Sequence, residues 1–337
     1  MRQESLRRLI SLTLLLFLII IFSTTTDSFF TAANIMVLLR ECSVIGILAI
    51  GVTLTIITGG NDLSCGHLMG TVCMVFAHLY HYTAFPLFLI LFLCLLTAIA
   101  GGVLNGICVG FFQIPDFVAT LSTQFIFTGF TYILAVRNEF GQIGAVQINN
   151  KTVVALGGQI PGGIYLVTLA FLALAILGQI FLKKTKLGTY IYAMGANRKS
   201  AEYSGISFFK IKMTAFILSG FCAFVAAMFT IGRYRSNEVA TGQNFALQAI
   251  SATVIGGAAF TGGRGDMIGT VIGVIFMQVL RNGMRKYGFT TQTQAVVSGS
   301  IIVLMLIFDA YYNEFMKKRN QRSETVKGKK KVVSSNG

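Results

Sequence analysis

Long apolar stretches separated by short polar connections run through most of the chain. A membrane-spanning helix needs about 20 mostly apolar residues, and a window of that length finds about ten such stretches. The predicted spans are Leu9–Ser23, Ile35–Thr58, Leu63–Tyr82, Phe85–Phe111, Phe117–Val136, Ile164–Leu182, Ile211–Gly232, Phe245–Thr261, Met267–Met284 and Ala295–Tyr312. The pattern predicts an all-α, polytopic membrane protein, because a helix satisfies its own backbone hydrogen bonds inside a bilayer.

The polar connections give the predicted domain organisation, with a transmembrane domain over residues 1–316. The glycine-rich stretch 138–163 is expected to be an external loop of turns. The polar segment 183–212 predicts a short cytosolic helical element on which a partner docks. The basic stretch 317–337, rich in Lys, Ser and Asn, cannot bury apolar surface and predicts a disordered cytosolic tail.

Composition and charge agree with a membrane protein and set its orientation. Of the 337 residues, 54% are hydrophobic and 12% are charged, about half the charged fraction of a soluble domain. This excludes disordered, coiled-coil and disulfide-scaffold classes. With the N-terminus placed inside, 19 of the 27 basic residues fall in inside segments. The positive-inside rule therefore predicts that both termini are cytoplasmic.

Few groups within the spans can carry chemistry. Ion-coupled carriers usually keep carboxylates or histidines at depth, whereas here Glu41 lies near the outer end of its span and Asp309 near the inner end of the last one. We expect Glu41 to pair with Arg40 or Arg137. The chain has no GxxxxGKS/T phosphate loop, so it does not bind ATP in that way, and no nucleophile–base pair that would indicate an enzyme.

Histidines and cysteines give no clear metal or redox signal. His67, His78 and His81 lie on one predicted helix, and the spacing of His78 and His81 could share a metal, but a second ligand pair is missing. We expect hydrogen bonding there, and no metal or cofactor bound by this chain. The six cysteines lie in apolar runs without a C-x-x-C pair and are expected to be small buried hydrophobic residues.

Four segments together resemble the membrane subunits of ribose-type ABC sugar importers. Residues 50–66 read IGVTLTIITGGNDLSCG, residues 187–206 read LGTYIYAMGANRKSAEYSGI, and residues 254–270 read VIGGAAFTGGRGDMIGT. A weaker match joins Asn105 and Gly106 with IPDFVATL at 114–121. The order and spacing agree from about Phe29 to Asp309. The glycine and capping residues that carry the family motifs are Gly59, Gly60, Asp62, Leu63, Ser64, Gly66, Gly262, Gly263 and Gly265.

The resemblance implies a permease in the cytoplasmic membrane of a prokaryote, with defined partners. These are a second permease, identical or paralogous, two cytosolic ATPase domains that use ATP and Mg²⁺, and an external sugar-binding protein. It also implies that the ten spans form two pseudo-symmetric halves, relating the second to fifth spans with the seventh to tenth. Such repeats place the transport route at their interface.

The family's ATPase contact falls in the predicted cytosolic segment. We expect Gly195 to end one short helix, Asn197 to cap the next, and Ala201 and Ser204 to present a small surface that seats in a groove. The predicted ATPase-coupling residues are Gly195, Asn197, Ala201, Ser204, Gly205 and Ile206. The alternative for this segment is an ordinary amphipathic loop helix.

The two glycine motifs are expected to lie on the cytosolic side. We expect the stretch 58–66 to be a cytosolic turn in which Asp62 caps the third helix through the amides of Ser64 and Cys65. The stretch Thr261–Asp266 repeats the pattern on the same side.

Polar residues within the spans are candidates for the solute pathway, because an uncharged sugar is bound by neutral hydrogen-bonding groups. The candidates are Asn105, Thr120, Gln124 and Gln248. Each of them could instead form an interhelical hydrogen bond. Arg233 and Arg235, at the outer end of the seventh span, are candidates for docking acidic patches of the binding protein.

The chain departs from the family pattern at several positions, which leaves the substrate open. Ala246 replaces the family's acid in GQNFAL at 242–247, Asp116 replaces a second proline, and Asn61, Cys65 and His67 replace small or apolar residues. A pentose, a hexose, a furanose sugar or a sugar-derived signal molecule are all compatible.

Two other functions remain open alternatives. One is a motor-free channel or secondary carrier for a neutral solute. The other is an ABC permease for branched-chain amino acids, for which we expect sites for ammonium and carboxylate groups; the intramembrane acids are too few to favour it.

Overall fold

The computed structural model is predominantly helical and describes residues 2–26, 28–137, 142–144, 146–301, 303, 304 and 307. The α-helices are α1 Arg2–Thr25, α2 Ala32–Ile57, α3 Cys65–Tyr82, α4 Leu87–Gly106, α5 Asp116–Ile133, α6 Lys151–Leu156, α7 Leu166–Lys184, α8 Lys186–Ala196, α9 Arg198–Tyr203, α10 Phe208–Tyr234, α11 Phe245–Ile255 and α12 Met267–Lys286. A π-helical turn, Ile107–Phe111, extends α4. These helices belong to one compact unit, Met1–Phe289, and residues 291–301 are helical within a second unit, Thr290–Gly337.

Five of the helices are long and apolar enough to cross a membrane. They are Ala32–Ile57, Leu87–Phe111, Leu166–Lys184, Phe208–Tyr234 and Met267–Lys286. The all-α, polytopic class is therefore confirmed, while the number of ten spans stays a prediction. The predicted tail 317–337 and part of the last predicted span lie outside the described residues.

Helices α2 and α10 form the centre of the bundle, and glycines let the neighbouring backbones approach them closely. A Cβ at Gly102 of α4 would lie 2.5 Å from the Phe216 carbonyl oxygen and 3.0 Å from the Ile217 Cα of α10. A Cβ at Gly51 of α2 would lie 2.8 Å from the Ser219 Cα. Lipid provides no hydrophobic driving force for helix association. Small residues at such contacts stabilise the bundle instead, because they allow close van der Waals packing of the backbones.

Helix α3 begins inside the bundle rather than at its end. Asp62, just before α3, accepts a hydrogen bond of 2.6 Å from Ser219 Oγ. Ser219 lies eleven residues, about 16 Å, along α10 from its start at Phe208. The prediction that the stretch 58–66 is a simple cytosolic turn is therefore wrong. Asp62 and Ser64 are buried in the bundle, where side-chain partners replace water.

Helix α11 is shorter than the predicted eighth span Phe245–Thr261, so that prediction is wrong. It has 11 residues and a length of about 16 Å, roughly half of the hydrocarbon core of a bilayer. Two glycines end it after Ile255, and Gly257 has a φ of 99°. The first turns of α3 and α11 meet, since a Cβ at Gly66 would lie 2.5 Å from the Gly242 carbonyl oxygen.

The predicted external loop contains regular structure rather than turns alone. Helix α6 is capped by Asn150, whose side chain accepts hydrogen bonds from the amides of Thr152 and Val153. Strand β1, Val146–Gln147, pairs antiparallel with β2, Ser236–Asn237. This pairing attaches the connection to the segment that follows α10.

Replacing Gly102 by Val is expected to lower the melting temperature of the purified protein in detergent. The added side chain must displace the α10 backbone, and overpacking of this kind costs about 1–3 kcal/mol. Gly129→Val is the matched control, because Gly129 is helical and has open space around its Cβ position. Equal melting temperatures for the two variants would contradict the tight α4–α10 contact.

Candidate functional site: a glycine junction at the α8–α9 end

The two glycine motifs touch each other at one end of the bundle. Gly59 and Gly262 have φ values of 80° and 86°, in the left-handed region that favours glycine. A Cβ at Gly262 would lie 2.7 Å from the Gly59 Cα. The Gly263 amide donates a hydrogen bond of 2.8 Å to the Ile57 carbonyl oxygen. The turn after α2 and the turn before α12 are thus joined backbone to backbone.

The end of α8 is seated on these two turns. A Cβ at Gly195 would collide with the Ile57 carbonyl oxygen and would lie 2.5 Å from the Gly263 amide nitrogen. Tyr192 Oη donates a hydrogen bond of 2.7 Å to the Gly265 carbonyl oxygen. All three strong family motifs therefore meet at one place, which we call the glycine junction (Ile57–Gly60, Tyr192–Ala196 and Thr261–Gly265).

The two short helices predicted in segment 183–212 are present as α8 and α9. Helix α8 ends at Ala196, one residue beyond Gly195. Asn197 caps α9, because its side chain accepts a hydrogen bond of 3.1 Å from the Ser200 amide. The capping prediction is confirmed.

The exposed surface of α9 differs from the predicted one. Ala201 is buried, so it does not contribute to that surface. Tyr203 is 92% exposed, and Ser204 and Gly205 beside it are exposed as well. Gly205 has a φ of 83° and no other group within 4 Å of its Cβ position. The ATPase-coupling role of Gly195, Asn197, Ala201, Ser204, Gly205 and Ile206 stays a prediction.

Helix α9 is attached to the starts of α5 and α10 through Arg198. Its Nη2 donates a hydrogen bond of 2.9 Å to Gln113 Oε1, just before α5. Its guanidinium lies 3.6 Å from the centre of the Phe208 ring, at the first residue of α10. An exposed ion pair with Glu202, 3.0 Å long, holds the same side chain on α9.

A buried ion pair lies next to the glycine junction, and sequence reasoning missed it. Lys212 is 2% exposed, and its Nζ lies 2.7 Å from Asp116 Oδ1. A Cβ at Gly60 would collide with that carboxylate and would lie 2.5 Å from Lys212 Nζ. The sequence pattern places Lys212 among the charges of the polar segment 183–212, and it marks Asp116 only as a departure from the family motif. A basic residue one turn inside an apolar helix was the available signal.

A chain of buried hydrogen bonds, the Asp62 seam, links three helices, α4, α5 and α10, to the turn after α2. Asp62 Oδ1 accepts hydrogen bonds from the amide and the hydroxyl of Ser64, at 3.0 and 2.7 Å. Asn105 Nδ2 donates to Ser64 Oγ at 2.7 Å, and Thr123 Oγ1 donates to Asn105 Oδ1 at 2.7 Å. Burial raises the pKa of Asp62, whereas its hydrogen bonds oppose that shift. The Ser64 amide is one of the two that we predicted Asp62 to cap.

The structure does not bring the four predicted pathway residues together. Asn105 lies in the Asp62 seam, and Thr120 Oγ1 donates hydrogen bonds to the carbonyl oxygens of Asp116 and Asn61, at 2.8 and 3.3 Å. Gln124 is half-buried on α5, and Gln248 lines a cavity at the other end of the bundle. Asn105 thus bonds to Thr123 between α4 and α5, whereas Thr120 bonds within α5 and to the turn after α2, and a pathway role for the four residues stays a prediction.

At the opposite end of the bundle, which we call the Glu41 end, the predicted partners of Glu41 are wrong. Glu41 pairs with Arg285 through both carboxylate oxygens and with Arg233 at 3.6 Å. The last turn of α12 lies beside α2, whereas Arg40 lies 4.4 Å from the centre of the Tyr165 ring instead. The docking role predicted for Arg233 and for the exposed Arg235 stays a prediction.

The cysteines and His78 have the surroundings expected of them. The six cysteines are free, and all except Cys108 are buried. His78 Nδ1 lies 2.9 Å from the Leu134 carbonyl oxygen, an interhelical hydrogen bond. Within the described part of the chain, no three His, Cys, Asp or Glu side chains come together as a metal site.

The chain has the features of a multi-pass membrane protein of the transporter class. It combines apolar helices long enough to span a bilayer with a buried polar seam and an exposed helix pair at one end. Residues 34–306 match the model of a family described as "Branched-chain amino acid transport system / permease component". The chain therefore belongs to this family of permeases.

Curated relatives agree with the resemblance seen in the motifs. The chain is 32% identical to the ribose import permease protein of Bacillus subtilis strain 168, over 84% of this chain and 86% of that one. It is 32% identical to the ribose import permease protein of Escherichia coli K12, with 84% and 87% covered. The D-allose transport system permease protein of the same strain is 29% identical, with 84% and 85% covered. No solved structure gives a significant match.

Replacing Lys212 by Met is expected to destabilise the protein by roughly 3 kcal/mol, because it leaves the Asp116 carboxylate largely buried without its cation. The double variant with Asp116→Leu is expected to recover much of that loss, since removing both charges also removes their desolvation cost. Lys210→Met, at an exposed position on the same helix, is the control. Thermal unfolding in detergent of the wild type, Lys212→Met, Asp116→Leu, the double variant and the control measures this, and strictly additive effects of the two single changes would exclude the coupling.

Proposed function

We propose that this chain is the permease subunit of an ATP-driven ABC importer that moves a sugar or sugar-like solute across the cytoplasmic membrane of a prokaryote. The observation that carries the proposal is the convergence of the three strong motifs on the glycine junction. Family membership and the relatives named for ribose and allose support the solute class.

The exposed surface of α8 and α9 is the proposed contact for a separate ATPase that uses ATP and Mg²⁺. This surface is basic and carries a solvent-exposed aromatic residue, Tyr203, beside the unhindered Gly205. It is held on the bundle by Arg198 and the glycine junction. A push on α9 would therefore reach α5, α10 and the two glycine turns at once.

The same segment sets the proposed orientation. Segment 183–212 contains seven of the basic residues and lies at the α8–α9 end, so this end faces the cytoplasm by the positive-inside rule. The Glu41 end then faces outward, toward a sugar-binding protein. Both termini are cytoplasmic in this arrangement.

An arrangement of ten spans in two pseudo-symmetric halves is part of the proposal. The segments that lead into α3 and α11 come from opposite ends of the bundle, and the two helices start beside each other, where Gly66 packs against Gly242 and the Ala246 amide. Each follows a long central helix, α2 or α10. This is the relation that an inverted repeat gives, and a second permease copy or paralogue would complete the transport route.

The branched-chain amino acid alternative shares the family but not the relatives. The relatives at 29–32% identity are named for ribose, xylose and allose. The motor-free channel or carrier is separated from our proposal by experiment.

Affinity purification of the tagged chain from its native membrane in mild detergent is expected to recover a P-loop ATPase, identified by mass spectrometry. Co-elution of a second permease or a solute-binding protein would supply the remaining partners. Recovery of this chain alone after cross-linking, together with solute uptake by liposomes that contain only this chain, would contradict the proposal and favour a motor-free carrier.

Gly205→Arg is expected to abolish ATP-dependent uptake and solute-stimulated ATPase activity without preventing membrane insertion. The substitution places a bulky cation on the proposed ATPase contact, at a left-handed position that disfavours side chains. Gly162→Arg is the matched control, because Gly162 also has a positive φ, 106°, and open surroundings but lies in the connection before α7. Retained uptake by Gly205→Arg at normal membrane levels would exclude this contact.

A further inference from the structure

A cavity at the Glu41 end has the features of a built ligand site. It has a volume of about 190 Å³ and lies between α2, α10, α11 and α12. Glu41 is sixteen residues, about 24 Å along α2, from Ile57 of the glycine junction. A second cavity of about 310 Å³ shares Thr230, Tyr234 and Phe245 with the first, and Glu238 lines its far side. The two cavities form one depression.

The first cavity holds an excess of positive charge. Its lining includes three arginines, Arg233, Arg281 and Arg285, but Glu41 is its one acidic residue. Glu41 is already engaged by Arg285 and Arg233. Arg281 is half-buried, lies within a candidate span, and forms no direct ion pair or hydrogen bond with any described residue, so the Glu41 carboxylate attracts it only at longer range. A charge at depth with so little direct compensation is costly and is typically retained for a function.

Two amides in the cavity also lack partners. Gln278 is 4% exposed and lines the cavity, and its side chain forms no hydrogen bond with any residue that the structure describes. The side chain of Gln248, on the facing helix α11, is likewise without a partner among those residues. Because the two amides line the open cavity and have no protein partner there, they are free to hydrogen-bond a polar solute that enters it. Amide groups beside Tyr234 and Phe245 suit a polyhydroxylated solute.

The start of α11 adds to the positive character of the cavity. Phe245 and Gln248 lie in the first turn of this helix, and that turn carries no acidic residue. The N-terminal end of a helix has a partial positive charge that favours anions. Helix α11 alone would not define a site, but it acts in the same direction as the arginines.

We infer that this cavity binds the transported solute, and that the solute is a sugar-like molecule carrying one acidic group, a carboxylate or a phosphate. Arg281 pairs with the acid, while Gln248 and Gln278 hydrogen-bond the hydroxyl groups. The inference rests on the proposed function and adds to it the charge of the substrate. A neutral sugar would satisfy the amides but would leave Arg281 without a counter-charge.

Direct binding to the purified permease in lipid nanodiscs tests the inference. Isothermal titration at low salt would compare D-ribose, D-ribonate and D-ribose 5-phosphate, which share a carbon skeleton and differ in charge. One acidic compound is expected to bind about tenfold or more tightly than D-ribose, and that preference is expected to shrink as salt rises. The stronger of the two acidic compounds identifies the acid.

Variants assign the preference to the cavity. Arg281→Gln is expected to weaken binding of the preferred acid about 10-fold to 100-fold, as for a lost hydrogen bond between charged groups, and to weaken D-ribose binding far less. Gln278→Leu is expected to weaken all three compounds. Lys286→Gln is the matched control, because it removes a positive charge from an exposed position on the same helix, outside the cavity.

Equal binding of the neutral and acidic compounds by the wild-type protein would overturn the inference, as would an acid preference that survives in Arg281→Gln. Weaker docking of the purified binding protein by Arg281→Gln, with solute binding unchanged, would overturn it in favour of a protein contact. The proposed function is tested separately, because ATP-dependent uptake of a neutral sugar by the assembled transporter would uphold the importer while the charge inference fails.

Discussion

The backbone contact between Ile57 and Gly263 is the interaction on which the rest of the structure depends. It fixes the end of α2 against the turn before α12, and it creates the surface on which α8 is seated. A hydrogen bond of this kind requires two backbone segments to approach with no side chain between them. Three glycines, Gly59, Gly195 and Gly262, provide that space. Because lipid offers no hydrophobic drive for helix association, such close contacts supply the packing energy directly.

Because α3 begins inside the bundle, the polar groups of the turn that precedes it cannot reach water and need partners within the protein. The Asp62 seam supplies such partners. Each hydrogen bond in the series that begins at Ser219 and ends at Thr123 satisfies a buried polar group. The same seam ties α10, α4 and α5 to the turn after α2. The break in the helix therefore stiffens the region around it instead of weakening it.

Local features of the site were predictable from sequence, whereas long-range partners were not. The cap of α9 by Asn197 and the glycine motifs depend on neighbouring residues, so their pattern is visible in the sequence. Lys212 and Asp116 are 96 positions apart, and Arg285 and Glu41 are 244 apart, so only the packed helices reveal which charges meet. Apolar windows also failed at Phe245–Thr261, because hydrophobicity does not record where glycines end a helix inside the bundle.

The two ends of the bundle differ in how their charges are balanced, and α10 joins them. At the α8–α9 end, Lys212 is neutralised by Asp116, while at the Glu41 end three arginines share the single carboxylate of Glu41 in the cavity lining. Helix α10 has 27 residues and a length of about 40 Å; it begins at Phe208, against Arg198 of α9, and its last turn carries Arg233 of the cavity. A packed helix moves as a unit, so a displacement imposed on α9 changes the position of Arg233 relative to Glu41. In the proposed importer, movement at the cytosolic contact and release of a charged ligand from the cavity would then be two consequences of one rigid element.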